Sequence, residues 1–186
     1  LADRAGFDTI MQAESGFMSL TGYADRDGVR TGPAVMDMAC AMMASNAILI
    51  ALAARHRTGQ GQHVDVPLFD TGVLMTGFMT AQYLFSGKVP QRNGNVSNDA
   101  VPSGVFPTAD LPIFITCTST SLFRRLFIDV LKMPEVGDDP EMQRIDGRLA
   151  QRERVIDILN RVFATDTRAN WRLRLDQAKV PAGAVR

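Results

Sequence analysis

Cysteine and histidine are scarce in this chain, with two of each among its 186 residues. Cys40 and Cys117 lie far apart in apolar stretches, so they predict no disulfide framework and favour a reducing, cytoplasmic setting. His56 and His63 are too few to form a His-rich metal site or a Ser-His-Asp triad. The HExxH, CxxC, GxSxG and Walker patterns are also absent, which argues against the enzyme classes that depend on them.

The chain also lacks an excess of either charge, because twenty lysines and arginines balance twenty aspartates and glutamates. No overall field draws it to nucleic acid, and the only local basic patch is Arg55–Arg57. The longest apolar run, Ala39 to Ala54, is interrupted by Ser45 and Asn46 and is expected to be too short to span a bilayer comfortably. The sequence therefore predicts neither a nucleic-acid nor a membrane partner. Both ends of the chain look cut, which indicates an internal piece of a longer protein.

Hydrophobic residues make up 46% of the chain, enough for a packed core, and the first half is rich in helical patterns. Apolar spacing predicts a helix from Phe7 to Leu20, and small helix-forming residues predict a second from Pro33 to Arg57, buried on most sides. Gly59 is placed to cap that helix. A short strand is predicted at His63–Val66, followed by a helix from Pro67 to about Phe85. This alternation favours an α/β layer architecture.

Composition becomes polar after residue 87, which predicts a domain boundary there. Residues 1–87 are assigned to a large domain, 88–103 to a linker, 104–180 to a small α+β domain and 181–186 to a return toward the large domain. Within the small domain, strands are predicted at Gly104–Phe106 and Pro112–Thr118. Later features of the small domain are predicted as a cap at Ser119 or Thr120, a short helix from Asp139-Pro140, an amphipathic helix over Gly147–Phe163, a cap at Thr167 and a turn at Pro181–Gly183.

Asp37 is the candidate for chemistry in the first half. It lies at the start of the small-residue helix, where backbone N–H groups and the helix dipole favour a carboxylate. From the residues alone, capping of its own helix is the simpler interpretation of Asp37. A catalytic role needs support from the surrounding sequence.

That support comes from several segments that occur in a fixed order along the chain. They are GFDTIMQAESGFMSLTG at residues 6–22, VMDMA at 35–39, RTGQGQHVDV at 57–66, FPTAD at 106–110, DDP at 138–140, GR at 147–148 and VPAG at 180–183. Together these segments resemble the family III CoA-transferases, also called the CaiB/BaiF family, over nearly the whole chain. In this resemblance Asp37 falls at the position of the family's catalytic aspartate.

The resemblance implies a family III CoA-transferase fold, in which this chain supplies part of a Rossmann-like large domain and a small α/β domain. It also implies an interlocked homodimer of full-length chains. Phe7, Asp8 and Gln12 are expected to bind substrate beside Asp37. A flap that is glycine-rich in some relatives aligns with five residues that are also expected at the substrate: Ser97, Asn98, Asp99, Ala100 and Val101. The glycines are missing here, which puts the flap's backbone geometry in question.

The implied activity is transfer of CoA between an acyl-CoA and a carboxylic acid, with an aspartyl anhydride and an aspartyl-CoA thioester formed on Asp37. Coenzyme A is then a co-substrate, and no permanently bound cofactor is expected. Two alternatives stay open. One is an α-methylacyl-CoA racemase, although that branch has a histidine where this chain has Phe7, and a phenyl ring cannot exchange a proton. The other is a non-catalytic homologue that binds acyl-CoA.

Overall fold

The computed structural model of the protein describes residues 5–185. The chain divides between Gly94 and Asn95 into two compact units. The first unit contains only helices among its described residues, and the second contains a small sheet with helices.

Two of the helices predicted in the first unit are each broken into two. The predicted helix from Phe7 to Leu20 consists of α1 (Asp8–Glu14) and α2 (Phe17–Leu20), because Gly16 between them has φ +85°. The predicted helix after Pro67 consists of α4 (Leu68–Met75) and α5 (Phe78–Ser86). Gly77 separates them with φ +60° and ψ −138°, a conformation that glycine adopts without steric cost.

Helix α3 (Val35–Thr58) is the longest element of the first unit, and Gly59 caps it as predicted. Gly59 has φ +72° and its N–H donates to the Arg55 carbonyl. The expectation that α3 is buried on most sides is wrong for this chain: only Met36 and Ala39 are buried. Helix α3 contacts α1 and α4, and no other described element covers most of its length. Its exposed apolar residues include Met38, Met42, Ile48, Leu49, Ile50 and Leu52.

Helix α3 is also long and apolar enough to cross a membrane by length and composition. Its 24 residues contain a window with a mean hydropathy of 1.8, so the expectation that this run is too short does not hold for the helix as formed. The core helix of a soluble protein passes the same test. The absence of a membrane partner therefore stays a prediction.

The segment His63–Val66, predicted as a strand, has no strand structure. A strand is defined by backbone hydrogen bonds to a neighbouring strand. The described residues of the first unit contain no strand with which this segment could pair. The segment instead returns alongside α3, where the Val66 carbonyl accepts a hydrogen bond from Cys40 Sγ at 3.4 Å. The local pattern predicts a strand, but none of residues 5–185 pairs with this segment as a strand.

The second unit is built on an antiparallel sheet of three strands in the order β1-β2-β3. β1 (Ser103–Phe106) pairs with β2 (Ile113–Thr116), with Ser103 opposite Thr116. Both strands were predicted. β3 (Ala182–Ala184) pairs on the other side of β2, with Ile115 opposite Ala182. The turn predicted at Pro181–Gly183 is wrong for Ala182 and Gly183, which belong to β3. A continuation of the chain toward the large domain stays a prediction.

Helices pack around this sheet, and polar side chains cap two of them as predicted. Ser119 Oγ accepts from the Leu122 amide and Thr167 Oγ1 from the Asn170 amide, at 3.3 and 3.4 Å. The predicted helix over Gly147–Phe163 is two helices that separate at Gln151. The elements are α6 (Thr120–Arg124), a π-helical segment (Arg125–Val130), α7 (Pro134–Gly137), a 3₁₀ turn (Pro140–Gln143), α8 (Ile145–Ala150), α9 (Arg152–Phe163) and α10 (Arg168–Gln177).

The second unit has its own hydrophobic core, formed where α9, α10 and the π-helical segment meet the sheet. Phe163 packs against Phe106 and, edge to face, against Trp171, with ring centroids 5.9 and 5.0 Å apart. Trp171 Nε1 donates to the Phe163 carbonyl, so the indole is buried without leaving its N–H unpaired. Leu126, Phe127 and Val130 of the π-helical segment complete this core. The second unit therefore has a hydrophobic core of its own, and no comparable cluster is formed by residues 5–94 of the first unit.

Candidate active site

Asp37 lies in the first turn of α3 with its side chain exposed. No hydrogen bond or ion pair engages its carboxylate among residues 5–185. Its backbone N–H, in contrast, donates to a carboxylate oxygen of Asp8 at 3.3 Å. The structure thus fixes the backbone of Asp37 and leaves its carboxylate free at the start of a helix.

Asp8 supplies the cap of helix α3. Its side chain is only 6% exposed, and its Oδ2 accepts from the amide of Met36 at 2.8 Å as well as from that of Asp37. The residue at the N-cap position, Ala34, has no side chain that could accept a hydrogen bond. The interpretation of Asp37 as the cap of its own helix is therefore wrong: an acid from α1 performs that function.

Gln12 lies one turn after Asp8 on α1 and is completely buried. Its Nε2 donates to Asp8 Oδ1 at 2.6 Å. Its Oε1 accepts from the backbone N–H of Thr31 at 2.9 Å and from the Thr31 hydroxyl at 3.3 Å. Both ends of the amide are engaged within the protein, and Gln12 links helix α1 to the loop that leads into α3.

That loop is itself fixed to the rest of the first unit. The Val29 amide donates to the Thr21 carbonyl at 3.0 Å, and the Thr21 hydroxyl donates to the Val29 carbonyl. Arg92 reaches the loop from far along the sequence. Its guanidinium donates to the carbonyls of Ser19, Tyr23 and Arg26 at 3.3, 3.1 and 2.7 Å. Neither Thr31 nor Arg92 was expected from the sequence, because a lone threonine or arginine in a polar stretch has no distinguishing pattern.

From the residues alone Phe7 is expected to face the core, as an aromatic at the start of a helix. It precedes α1 and is 69% exposed, so this expectation is wrong for this chain. Its carbonyl accepts from the Met11 amide, which begins α1. A cleft of about 260 Å³ lies beside it between α1 and the start of α4, lined by Ala5, Gly6, Ile10, Met11, Glu14, Pro67, Leu68 and Phe69. Phe7 itself is not among the residues that line this cleft, and its role at the substrate stays a prediction.

The predicted flap, Ser97–Val101, belongs to the second unit and is held there at both ends. The Ser97 amide donates to the Ser103 carbonyl at 3.1 Å, and Val101 is 1% exposed within the core. Arg152 donates to the carbonyls of Ser97 and Asn98 at 2.8 and 3.1 Å. Asn98 and Asp99 have exposed side chains, whereas Ala100 is half-buried. The segment is thus anchored, and its role at the substrate stays a prediction.

Other groups in the described chain offer little alternative chemistry. Burial raises the pKa of the Cys117 thiol to about 12, so it is protonated at neutral pH and cannot act as a nucleophile. Within residues 5–185, no cluster of three or more His, Cys, Asp or Glu side chains is arranged to hold a metal ion. The expectation of no permanent cofactor stays a prediction.

The fold and the site define a mixed helix-and-strand protein that presents a free carboxylate at a helix start capped by another acid. The sequence model of CoA-transferase family III matches residues 1–186. The chain belongs to this family, and the family and fold class predicted from its motifs are confirmed.

Curated relatives include two named CoA-transferases. The chain is 30% identical to the succinyl-CoA–D-citramalate CoA-transferase of Chloroflexus aurantiacus over 98% of this chain and 46% of the relative. It is 33% identical to the acetyl-CoA:oxalate CoA-transferase of Acetobacter aceti over 100% of this chain and 48% of that relative. A CaiB/BaiF family protein from Brucella suis has a similar solved structure, with a TM-score of 0.81, 32% identity and coverage of 100% of this chain and 49% of that one. The chain spans about half the length of these proteins.

Proposed function

We propose that the complete protein transfers CoA from an acyl-CoA donor to a carboxylic acid acceptor, with Asp37 as the nucleophile. The observation that carries this proposal is the exposed Asp37 carboxylate, which has no hydrogen-bond partner among the described residues although its backbone is fixed by Asp8. Such a carboxylate is available to a substrate without first breaking an internal bond. Matched relatives whose names describe transfer between acyl-CoA and a second acid support the same class of reaction.

In the proposed mechanism the Asp37 carboxylate attacks the thioester carbonyl of the donor. The carbon–sulfur bond breaks, CoA thiolate leaves, and a mixed anhydride remains on Asp37. The thiolate then attacks the aspartyl carbonyl of the anhydride, which releases the donor acid and leaves an aspartyl-CoA thioester. The acceptor carboxylate attacks this thioester, regenerates thiolate and forms a second anhydride. Attack of the thiolate on the acceptor carbonyl gives the new acyl-CoA and frees Asp37.

Each of these steps passes through a tetrahedral intermediate with a developing oxyanion, which needs hydrogen-bond donors. The two amides that open helix α3, those of Met36 and Asp37, already donate to Asp8. The oxyanion donors must therefore come from elsewhere.

The remaining features of the complete protein are also part of the proposal. It works in the cytoplasm as an interlocked homodimer in which residues 1–87 belong to a Rossmann-like domain, 88–103 to a linker and 104–180 to a small domain. The exposed apolar side chains of α3 support this proposal, because the remainder of the large domain or the second protomer would cover them. A racemase is disfavoured because Phe7 provides no base for proton exchange.

The proposal is tested by mass spectrometry of the complete protein after incubation with a panel of acyl-CoAs. We expect a covalent adduct on the peptide that contains Asp37, no adduct in Asp37→Asn, and an unchanged adduct in Asp70→Asn. Asp70 is a matched control because it is another exposed acid in the first turn of a helix, α4. Turnover without any adduct on Asp37 would rule out the covalent route. Tight acyl-CoA binding with neither adduct nor turnover would instead indicate the non-catalytic homologue.

A further inference from the structure

We propose that Asp8 and Gln12 are positioning residues for the Asp37 nucleophile and do not contact the substrate. This inference rests on the proposed function, since it assigns how the same site is oriented. Asp8 fixes the backbone of the nucleophile directly through the 3.3 Å bond to the Asp37 amide. Gln12 in turn fixes Asp8 through a hydrogen bond to its carboxylate. This positioning role replaces the substrate-binding role that the sequence predicts for both residues.

The burial of the two side chains argues against contact with substrate. Asp8 is 6% exposed and Gln12 is fully buried. Asp8 Oδ1 accepts from Gln12, and its Oδ2 accepts from two amides. The Gln12 carbonyl oxygen accepts twice from Thr31. A substrate could reach these groups only by breaking hydrogen bonds that are already satisfied in a buried site, which is unfavourable.

The bonding pattern fixes the direction of every hydrogen bond in this pair. Met36, Asp37 and Thr31 contribute backbone N–H groups, which can only donate. Asp8 must therefore present acceptors to α3, and Gln12 must present its oxygen to Thr31 and its amide nitrogen to Asp8. The α3 amides donate to the Asp8 carboxylate, the Gln12 amide nitrogen donates to the same carboxylate, and Thr31 donates to the Gln12 oxygen. This arrangement satisfies every one of these hydrogen-bonding groups, so the chemical identity of both side chains is specified.

The consequence of the arrangement is an orientation of the nucleophile that is set by three parts of the chain. Helix α1 supplies both side chains, the loop supplies Thr31, and α3 supplies the amides. The loop is anchored in turn by Arg92. A displacement of about 1 Å at a reacting group can reduce a rate by about 100-fold, so this network acts on the rate of the chemical steps and not on the affinity for substrate.

The test exchanges the two functional groups within the pair. In Asp8→Asn the new amide nitrogen faces the Gln12 nitrogen, and in Gln12→Glu two carboxylates face each other; either change places like groups at a distance of 2.6 Å in the present structure. The double variant Asp8→Asn/Gln12→Glu restores one donor and one acceptor to this contact. It keeps acceptors toward Met36 and Thr31, but it moves the negative charge from position 8 to position 12.

Kinetics of the complete protein are expected to show coupling between the two positions. Each single variant should lower kcat by about 10- to 100-fold while KM changes by less than about threefold. The double variant should recover most of the lost kcat, because the hydrogen-bond pattern is restored. Asp70→Asn serves again as the control and should match the wild type in both constants.

A second measurement follows the cap itself, independently of activity. Amide hydrogen exchange at Met36 and Asp37 should be faster in each single variant and slow again in the double variant. If a single variant fails to fold, a folded and active double variant establishes the same coupling. An increase in KM at constant kcat would overturn the inference and restore substrate contact, and so would additive losses in the double variant. If the wild type forms no adduct on Asp37, the proposed function fails, while the exchange rates still decide whether Asp8 caps the helix.

Discussion

Removal of the Asp37 carboxylate is expected to abolish transfer with little effect on stability, whereas removal of the Asp8 carboxylate should destabilise the protein. The comparison uses Asp37→Asn and Asp8→Ala in the complete protein. The two acids lie on neighbouring helices and are joined by one hydrogen bond, but they differ in burial and in the number of their partners. The two variants therefore distinguish a catalytic role from a structural role at a single site.

The magnitudes follow from the contacts of each side chain. Asp37 is exposed, so Asp37→Asn loses only the interaction of a charge with the helix dipole, about 0.3–1 kcal/mol. Asp8→Ala removes a helix cap, which costs about 1–2 kcal/mol. It also leaves the buried Gln12 Nε2 without its acceptor, which costs a further amount of about 1–3 kcal/mol. The expected total for Asp8→Ala is about 2–5 kcal/mol.

The assay is urea denaturation followed by the helical circular dichroism signal, together with the transfer rate of each variant. Asp37→Asn should unfold within about 1 kcal/mol of the wild type and show no transfer. Asp8→Ala should unfold at a clearly lower urea concentration. Equal destabilisation by the two variants would refute the assignment of Asp8 as the cap, and wild-type turnover by Asp37→Asn, with deamidation excluded, would remove Asp37 from the mechanism.

Two further predictions concern Phe7 and the second unit. In deuterated water the complete protein should not exchange the α-proton of a 2-methylacyl-CoA, because Phe7 provides no base; rapid incorporation of deuterium, measured by mass spectrometry, would favour the racemase. Asp110 accepts hydrogen bonds from the Arg168 amide and the Thr108 hydroxyl, and these bonds lower its pKa from 3.8 to about 2. Because the folded-state pKa lies below the ordinary value, the stability that Asp110 contributes is present above about pH 4 and is lost as the pH falls to about 2. Asp110→Asn should flatten the dependence of the unfolding midpoint on pH in this window, and an unchanged profile would contradict the assigned contacts.

Features with a local cause were predictable from the sequence. Ser119, Thr167 and Gly59 end or begin their helices as expected, because each acts through backbone groups within a few residues. The strands of the β1–β2 hairpin were also predicted, since each is a short apolar run bounded by turn residues, a pattern typical of a strand. The family could be recognised because its motifs are spread in order along the chain.

Features that depend on distant partners were not predictable from local patterns. The cap of α3 comes from a residue 28 positions upstream. No motif near Ala34 indicates it. His63–Val66 has the pattern of a strand but lacks a paired neighbour in the described chain. The exposure of α3 was not predicted for a related reason. Small and apolar residues indicate that a helix face is suited to packing, but they do not indicate which element packs on it.

The capping of α3 by an acid on another helix determines where the chain can change its length. An insertion in the loop before α3 leaves the cap unchanged, and loop closure adds only about 0.6 kcal/mol for each doubling of loop length. Such an insertion must keep in place the Tyr23 and Arg26 carbonyls that Arg92 binds. An insertion between Met36 and Asp37 would keep the cap but rotate the nucleophile by about 100° around the helix axis. Insertions and deletions should therefore accumulate in the loop, while the spacing between the capped amide and the nucleophile stays fixed at one residue.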